Sequence, residues 1–189
     1  LGEPLSEGLL LVHNTLVGTN LRDRISIGAA GKITTAYHMA RMLALGADWC
    51  NAARGFMFSL GCIQALSCHT DHCPSGVATQ DPRRGANLDV ASKSERVYNF
   101  HHNTIEALGN MLTTSGLHHT QEFGPEHIMR RISANDIRTY RDLYHFIEPG
   151  SLIDGCPDHQ LFQRFWPTAR ADSFDPPNFI MSLREAKVH

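Results

Sequence analysis

Three cysteines stand close together in the run Cys62-Ile63-Gln64-Ala65-Leu66-Ser67-Cys68-His69-Thr70-Asp71-His72-Cys73-Pro74, with five and then four residues between them. Thiolates are soft ligands, and an iron–sulfur cluster is grasped by several of them on a loop that curls around it. Six residues along an ideal helix turn a side chain by about 600°, so Cys62 and Cys68 on one helix would point to different sides. Convergence therefore requires the chain to leave the helix near Cys68, a bend that Thr70-Asp71 and Pro74 permit. A proline directly after the last ligand also occurs in bacterial ferredoxins. Three other chemistries fit the residue types: buried cysteines acting as small hydrophobes, zinc held with His69 or His72, and a disulfide.

Two glycine-containing turns offer a second chemistry. Gly28-Ala29-Ala30-Gly31-Lys32-Ile33-Thr34 falls between a strand pattern and a helix pattern. Glycine lets a phosphate approach the backbone, and a helix start supplies unpaired N–H groups. It is not a Walker loop, which needs four residues between its glycines and Ser or Thr directly after Lys. An ordinary strand-to-helix turn with glycine for conformation is the competing reading. Asn51-Ala52-Ala53-Arg54-Gly55 lies at the next strand exit, where an arginine beside a glycine can bind phosphate bidentately. The two turns are about twenty-five residues apart, one strand–helix unit, and a phosphate site shared by the last two strand exits recurs in (β/α)8 barrels.

The elements that must place these residues alternate. Leu5, Leu9, Val12 and Leu16 predict a first helix stopped by Gly18 to Asn20. Ile25-Ser26-Ile27-Gly28 predicts a buried parallel strand. Thr34 or Thr35 caps a helix carrying Ala36, Met39, Ala40 and Leu43 and ending at Gly46. Residues 47–52 read as a second strand leading into the apolar segment 56–66. Beyond the turn-rich loop 74–82, Ser94 with Glu95 starts a long helix whose face is Val97, Phe100, Ile105, Leu108, Met111 and Leu112, ending at Gly116. Shorter helices are expected over residues 125–132 and 134–146, and an irregular tail after Pro149. Trp49, Phe56 and Phe58 read as core, His13 as a structural helix residue, and His101-His102 and His118-His119 as solvated surface; Cys50 and Cys156 receive no role.

This rhythm is that of a parallel α/β structure. Two parallel strands cannot close a barrel or shield both faces, and the sequence opens on Leu1 rather than Met, so the chain reads as the C-terminal part of a larger protein. The expected division is residues 1–117 as the last strand–helix units, 118–148 as a helical extension and 149–189 as the tail. With 189 residues, 42% of them apolar and 19% charged, the chain suffices for an ordinary globular core. Its 17 Lys and Arg against 19 Asp and Glu give a formal net charge of −2, without the basic field that nucleic acid or an anionic membrane demands. No apolar run approaches the roughly 18 residues of a membrane span, and no signal-peptide order is present, which makes the cytoplasm the expected location. Five cysteines in such a chain favour metal ligation over a disulfide framework.

The run from Gly46 through Trp49, Cys50, Arg54, Gly55, Phe56 and Phe58 to Cys62, the cysteine spacing, and Cys73-Pro74-Ser75-Gly76-Val77-Ala78-Thr79-Gln80-Asp81-Pro82 together resemble the end of the FMN-binding domain of glutamate synthases. They are more similar still to the shorter FMN-binding glutamate synthase family proteins. The similarity begins near Leu5, includes Leu21-Arg22-Asp23-Arg24-Ile25, and continues to about Arg131. The resemblance implies the C-terminal portion of a TIM barrel carrying FMN at the C-terminal ends of its strands, with a [3Fe–4S] cluster on the loop after the last strand. Cys62, Cys68 and Cys73 match the three cluster ligands. Gly28, Ala30, Gly31 and Lys32 correspond to the phosphate-gripping turn after the seventh strand, and Ala53 and Arg54 to the one after the eighth. Glutamate synthases usually carry an acidic residue and a second glycine where this chain has Ala30 and Lys32. The implied reaction is the reduction of 2-iminoglutarate, from 2-oxoglutarate and glutamine-derived ammonia, to glutamate, with electrons from ferredoxin or a reductase subunit. The implied partner in structure is the remaining N-terminal barrel segment, without which the chain is expected to be inactive. Two alternatives are a relative acting on another amine or oxoacid, such as an N-methylglutamate synthase subunit, and a non-catalytic metal-binding module.

Overall fold

A computed structural model describes residues 2–155 and 157–173; Cys156 and the part of the expected irregular tail after residue 173 lie outside the described residues. The described residues form two compact units, one of residues 2–13 and 26–144, the other of residues 14–25, 145–155 and 157–173.

In the first unit, helix α1 (Leu5–Gly18) contributes residues up to His13. Its Leu9 and Leu10 are buried, and the ring of His13 fills the space left by the absent side chain of Gly46, whose φ of +105° suits glycine. Strand β1 (Gly28–Ala30) and strand β2 (Trp49–Asn51) pair in parallel, with helix α2 (Ala36–Ala44) as the crossover. The strand expected at Ile25 begins three residues later. Ile27 still belongs to the ladder through its backbone, since its carbonyl accepts from Asp48 N at 2.8 Å and its N–H donates to Asp48 Oδ2 at 2.6 Å. Ile25 is exposed, so the β-branched run is an approach to the sheet rather than the sheet itself.

Thr35 is the N-cap of α2, its hydroxyl accepting from His38 N at 3.2 Å. The helix buries Ala36, Ala40, Leu43 and Ala44, spaced at 0, 4, 7 and 8. Helix α3 (Arg54–Leu60) follows β2 after two residues, and both α2 and α3 pack on the long helix α5 (Val90–Thr114). Phe56 meets Phe100 edge to face at 5.1 Å between ring centroids, and the missing Cβ of Gly55 admits Phe100 at close range. A short helix, α4 (Pro82–Gly85), is capped by Asp81.

Helix α5 starts four residues before Ser94, because Asp89 accepts from Ser92 N at 2.8 Å and caps the helix. Ile105, expected on the packed face, is about half exposed, and Trp49, expected as core, is exposed at 49%, while Phe56 and Phe58 are half-buried.

The two helices expected over residues 125–146 are largely replaced by an antiparallel hairpin, β3 (Met129–Ser133) with β4 (Asp136–Thr139), bulged between Arg131 and Ser133. Ile132 and Ile137 are β-branched, and Ala134-Asn135 forms a tight turn whose Ala134 carbonyl accepts from the Arg131 guanidinium at 2.9 Å. What remains helical is a 3-10 turn, Pro125–His127, and the four-residue helix α6 (Tyr140–Leu143), held by reciprocal bonds between Thr139 and Asp142.

The second unit is built on the last turn of α1. Asn14, 1% exposed, donates to the His145 carbonyl at 2.8 Å and accepts from Ile147 N at 3.5 Å. The carbonyls of Val17 and Gly18 accept from Gly150 N and Leu152 N. Gly18 is required there, since a Cβ would stand 2.6 Å from Leu152. Ile147, Leu152 and Phe162 form a small core against Trp166, whose indole donates to the Leu152 carbonyl at 3.0 Å. Residues 149–173 are therefore not wholly irregular, since helix α7 (Gln160–Phe165) lies within them. Among the described residues no helix is long and apolar enough to cross a membrane.

Two predictions follow from these contacts. Asp89→Ala should destabilise the first unit by about 1 kcal/mol while Ser94→Ala stays near zero, as measured by denaturant unfolding followed by circular dichroism. In the second unit, burial and the neighbouring His145, 4.8 Å away between ring centroids, hold the His159 imidazole below its ordinary value near 6.5. The folded state then favours the neutral ring, so stability is fully present above pH 6.5 and is lost as pH falls through the lowered value. Thermal melting between neutral and mildly acidic pH should show this loss, and His159→Gln should flatten it.

Candidate functional site

The parallel register Gly28↔Trp49, Ala29↔Cys50, Ala30↔Asn51 sends both strands out of the same edge of the sheet. Gly31-Lys32 and Ala52-Ala53-Arg54 are thus neighbouring exits. Lys32 adopts φ +53° although it is not glycine, a conformation that costs about 1 kcal/mol or more. The side chains of Lys32 and Arg54 make no ion pair or hydrogen bond among the described residues, and both are exposed. Ala30 closes β1 as an exposed residue, and Ala53 is the N-cap residue of α3.

The two turns border different cavities. Gly31 and Lys32 line one of about 240 Å³ with Leu5, Glu7, His38 and Arg41. Ala52 and Ala53 line one of about 560 Å³ whose walls include Trp49, Cys50, Phe100, His101 and Leu108. Gly28 takes no part in either exit. It opens β1 beneath the Trp49 indole, where a Cβ would stand 2.6 Å from the ring, so its place in the site is to let Trp49 lie flat on the sheet. Cys50 is half-buried in β2, its thiol 3.9 Å from the Met39 carbonyl, and burial pushes it up to about 11.

Helix α3 stops at Gly61, earlier than a helix running to Cys68 would. Gly61, at φ +104°, donates to the Phe58 carbonyl and Cys62 N donates to the Met57 carbonyl, the paired bonds of a left-handed helix terminus. Cys62 is therefore the first residue outside the helix, and the rotation that would separate it from Cys68 never accumulates. The loop then curls through three non-glycine residues in the left-handed region, Gln64, Leu66 and Asp71. Asp71 stands where the bend was expected. Its carbonyl accepts from Thr79 Oγ1 at 2.8 Å and its carboxylate from Gln80 N at 2.5 Å, tying the loop to the segment before α4.

The three sulfurs differ in setting. Cys62 Sγ accepts from Gln64 N at 3.5 Å. Cys68 is exposed on a short 3-10 turn, Cys68–Thr70. Cys73 is 6% exposed, with Ser75 Oγ 3.5 Å from its sulfur. Hydrogen bonds from the Ser75 hydroxyl and the backbone around Ala78 outweigh the cost of burial and bring the Cys73 thiol down to about 7. Donors aimed at sulfur suit an anionic, metal-bound thiolate. In donor chemistry, three cysteine thiolates suit soft metal centres such as iron–sulfur clusters. Among the described residues no three of His, Cys, Asp and Glu are gathered into a group that could hold a metal ion, the three cysteines of this loop included.

Sequence reasoning did not single out Asp48, Ser75 or Gly76. Asp48 clamps the start of the ladder at Ile27, and its signal was an acidic residue opening a strand. Gly76 has φ +75° and lies so close to α4 that a Cβ would run into the Arg84 carbonyl oxygen.

The family model for the conserved region in glutamate synthase matches residues 1–118, and the chain belongs to that family. It is 41% identical over 144 residues to the glutamate synthase large subunit-like protein YerD of Bacillus subtilis, covering 76% of this chain and 27% of that protein. It is 35% identical over 115 residues to the NADH glutamate synthase of Schizosaccharomyces pombe, covering 61% of this chain and 5% of that one. Over 82 residues it is 38% identical to a ferredoxin-dependent glutamate synthase of Synechocystis, 43% of this chain and 5% of that one. The chain thus spans only a minor part of the length of these relatives.

Gly76→Ala should loosen the turn that aims donors at Cys73. The expected outcome is a rise of the Cys73 thiol from about 7 toward its ordinary 9.0, read as a shift of the alkylation-rate profile to higher pH in a chain whose other cysteines are replaced.

Proposed function

We propose that this chain is the phosphate-and-cluster end of a glutamate synthase-type flavoprotein oxidoreductase, the closing portion of a (β/α)8 barrel whose other strand–helix units complete it. The observation that carries the reading is the parallel register of β1 and β2, which brings the Gly31 and Arg54 turns out side by side. In such a barrel the last two strand exits share a phosphate site. Arg54 and Lys32, both unpaired among the described residues, would neutralise the phosphate of FMN, and Gly31 and Ala53 would let it reach the backbone. Ala30 and Gly28 lie along the strand leading to that turn.

The reaction supported is the two-electron reduction of 2-iminoglutarate, formed from 2-oxoglutarate and glutamine-derived ammonia, to glutamate, with hydride supplied by FMN and electrons arriving from ferredoxin or a reductase subunit through a [3Fe–4S] cluster. Cys62, Cys68 and Cys73 are the residues that would hold the cluster. The lowered thiol of Cys73 reduces the proton-release cost of ligation at neutral pH. Gln64 N–H and the Ser75 hydroxyl stabilise sulfur charge on Cys62 and Cys73. Asp71 and Gly76 hold the loop on which those thiolates sit.

The test has two parts. The chain purified without oxygen should be brown and contain about three iron and four acid-labile sulfide per molecule, and Cys68→Ser should abolish both. Colourless protein with one zinc would replace the reading with a metal-binding module. In the complete protein, Arg54→Ala and Gly31→Glu should each raise the FMN dissociation constant at least about tenfold. Undiminished flavin in both variants would end the phosphate assignment.

A further inference from the structure

A third cavity, of about 310 Å³, is lined by Tyr37 and Arg41 of α2, by Met129, Arg130 and Arg131 of β3, and by Tyr140 of α6. No Asp or Glu is among these residues, although the chain as a whole is slightly acidic. The acids nearby in sequence are committed elsewhere: Glu126 to Arg141 at 3.6 Å, Asp136 to Arg138 at 3.0 Å, and Asp142 to Thr139 at 2.6 Å. Three arginines thus line one small concavity that has no acidic residue in its lining.

Arg41 is held in place from two directions. Its Nε donates to the Tyr140 hydroxyl, and its guanidinium lies over the Tyr140 ring at 5.7 Å from the centroid. Tyr140 is 1% exposed, so this support is fixed by the core. The bond through Nε leaves the two terminal nitrogens of Arg41 as donors. Arg131 spends one terminal nitrogen on the Ala134 carbonyl, and Arg130 makes no ion pair or side-chain hydrogen bond among the described residues. Tyr37, 46% exposed, lines the same cavity.

We propose that this cavity binds a phosphate group, free or as the ester of a small molecule. Planar guanidinium forks match phosphate bidentately, and three of them call for an anion carrying more than one charge, which favours phosphate over a single carboxylate. The volume lies at the lower end of small-ligand sites, which favours a metabolite over a polymer. Arg41 also lines the cavity of Gly31 and Lys32, but the rest of this site differs from the flavin phosphate site proposed above: Arg130, Arg131 and Tyr140 lie beyond residues 1–118, and neither Gly31 nor Arg54 nor any cysteine lines it.

The experiment is titration calorimetry on the full 189-residue chain at low salt, with inorganic phosphate and with ADP as separate probes. Saturable binding of one ligand per chain is expected. Arg130→Ala and Arg131→Ala, both at exposed positions, should each weaken it about tenfold or more, while Arg138→Ala, whose partner is Asp136, should leave it unchanged. Equal affinity for the two probes would assign the site to free phosphate, and tighter ADP binding to an ester with a ring stacked on Tyr37. Absence of saturable binding by both probes, affinity unaltered in both β3 variants, or equal loss in Arg138→Ala would overturn the proposal. Binding confined to a long single-stranded oligonucleotide would overturn it as well.

Discussion

Three residues of parallel ladder carry the arrangement of this chain. Because β1 and β2 run the same way in the register Gly28↔Trp49 to Ala30↔Asn51, their exits leave one edge together, and the loops that follow become neighbours across about 5 Å of strand spacing. A ladder so short has little intrinsic strength. It is secured from outside: Asp48 takes the Ile27 N–H, α2 buries Ala40, Leu43 and Ala44, and the Trp49 indole lies on Gly28. A slip of one residue would turn buried Ala29, 2% exposed, to the opposite face.

The cysteine loop depends on that ladder for its position and on its own backbone for its shape. β2 delivers the chain into α3, and Gly61 ends α3 before Cys62, so all three cysteines lie beyond that helix. Left-handed backbone at Gln64, Leu66 and Asp71 is unfavourable for residues with side chains, and it persists because Asp71 and Gly76 bind the loop to the segment around α4. The same fixation aims donors at Cys73. Local strain and a thiol shifted toward its anion thus have one cause, the fixing of the loop to the segment around α4.

Charge in this chain is distributed rather than abundant. A net charge of −2 excludes a general basic field, yet Arg41, Arg130 and Arg131 meet at one cavity while the acids beside them in sequence pair with other groups. Composition averages over such separations and cannot register them. The family model covers residues 1–118, and the cluster joins Arg41 within that region to Arg130 and Arg131 on the hairpin after it.

The residues alone determined the alternation of helix and strand in the first sixty residues, a cap at Thr34 or Thr35, the stops at Gly46 and Gly116, two glycine turns one strand–helix unit apart, and the cysteine spacing. Each is a local pattern of periodicity or backbone preference, which needs no partner to be read. What only the tertiary structure decided are the matters settled by distant contacts. Asp89 rather than Ser94 begins α5, and a hairpin replaces two helices because Ile132, Ile137 and the Ala134-Asn135 turn prefer paired strands. Trp49 lies exposed over Gly28 instead of entering the core, and part of the supposed tail acquires a core once Asn14 and Gly18 receive residues 145–152. Propensity is weak where burial competes with it, and burial depends on residues more than a hundred positions away.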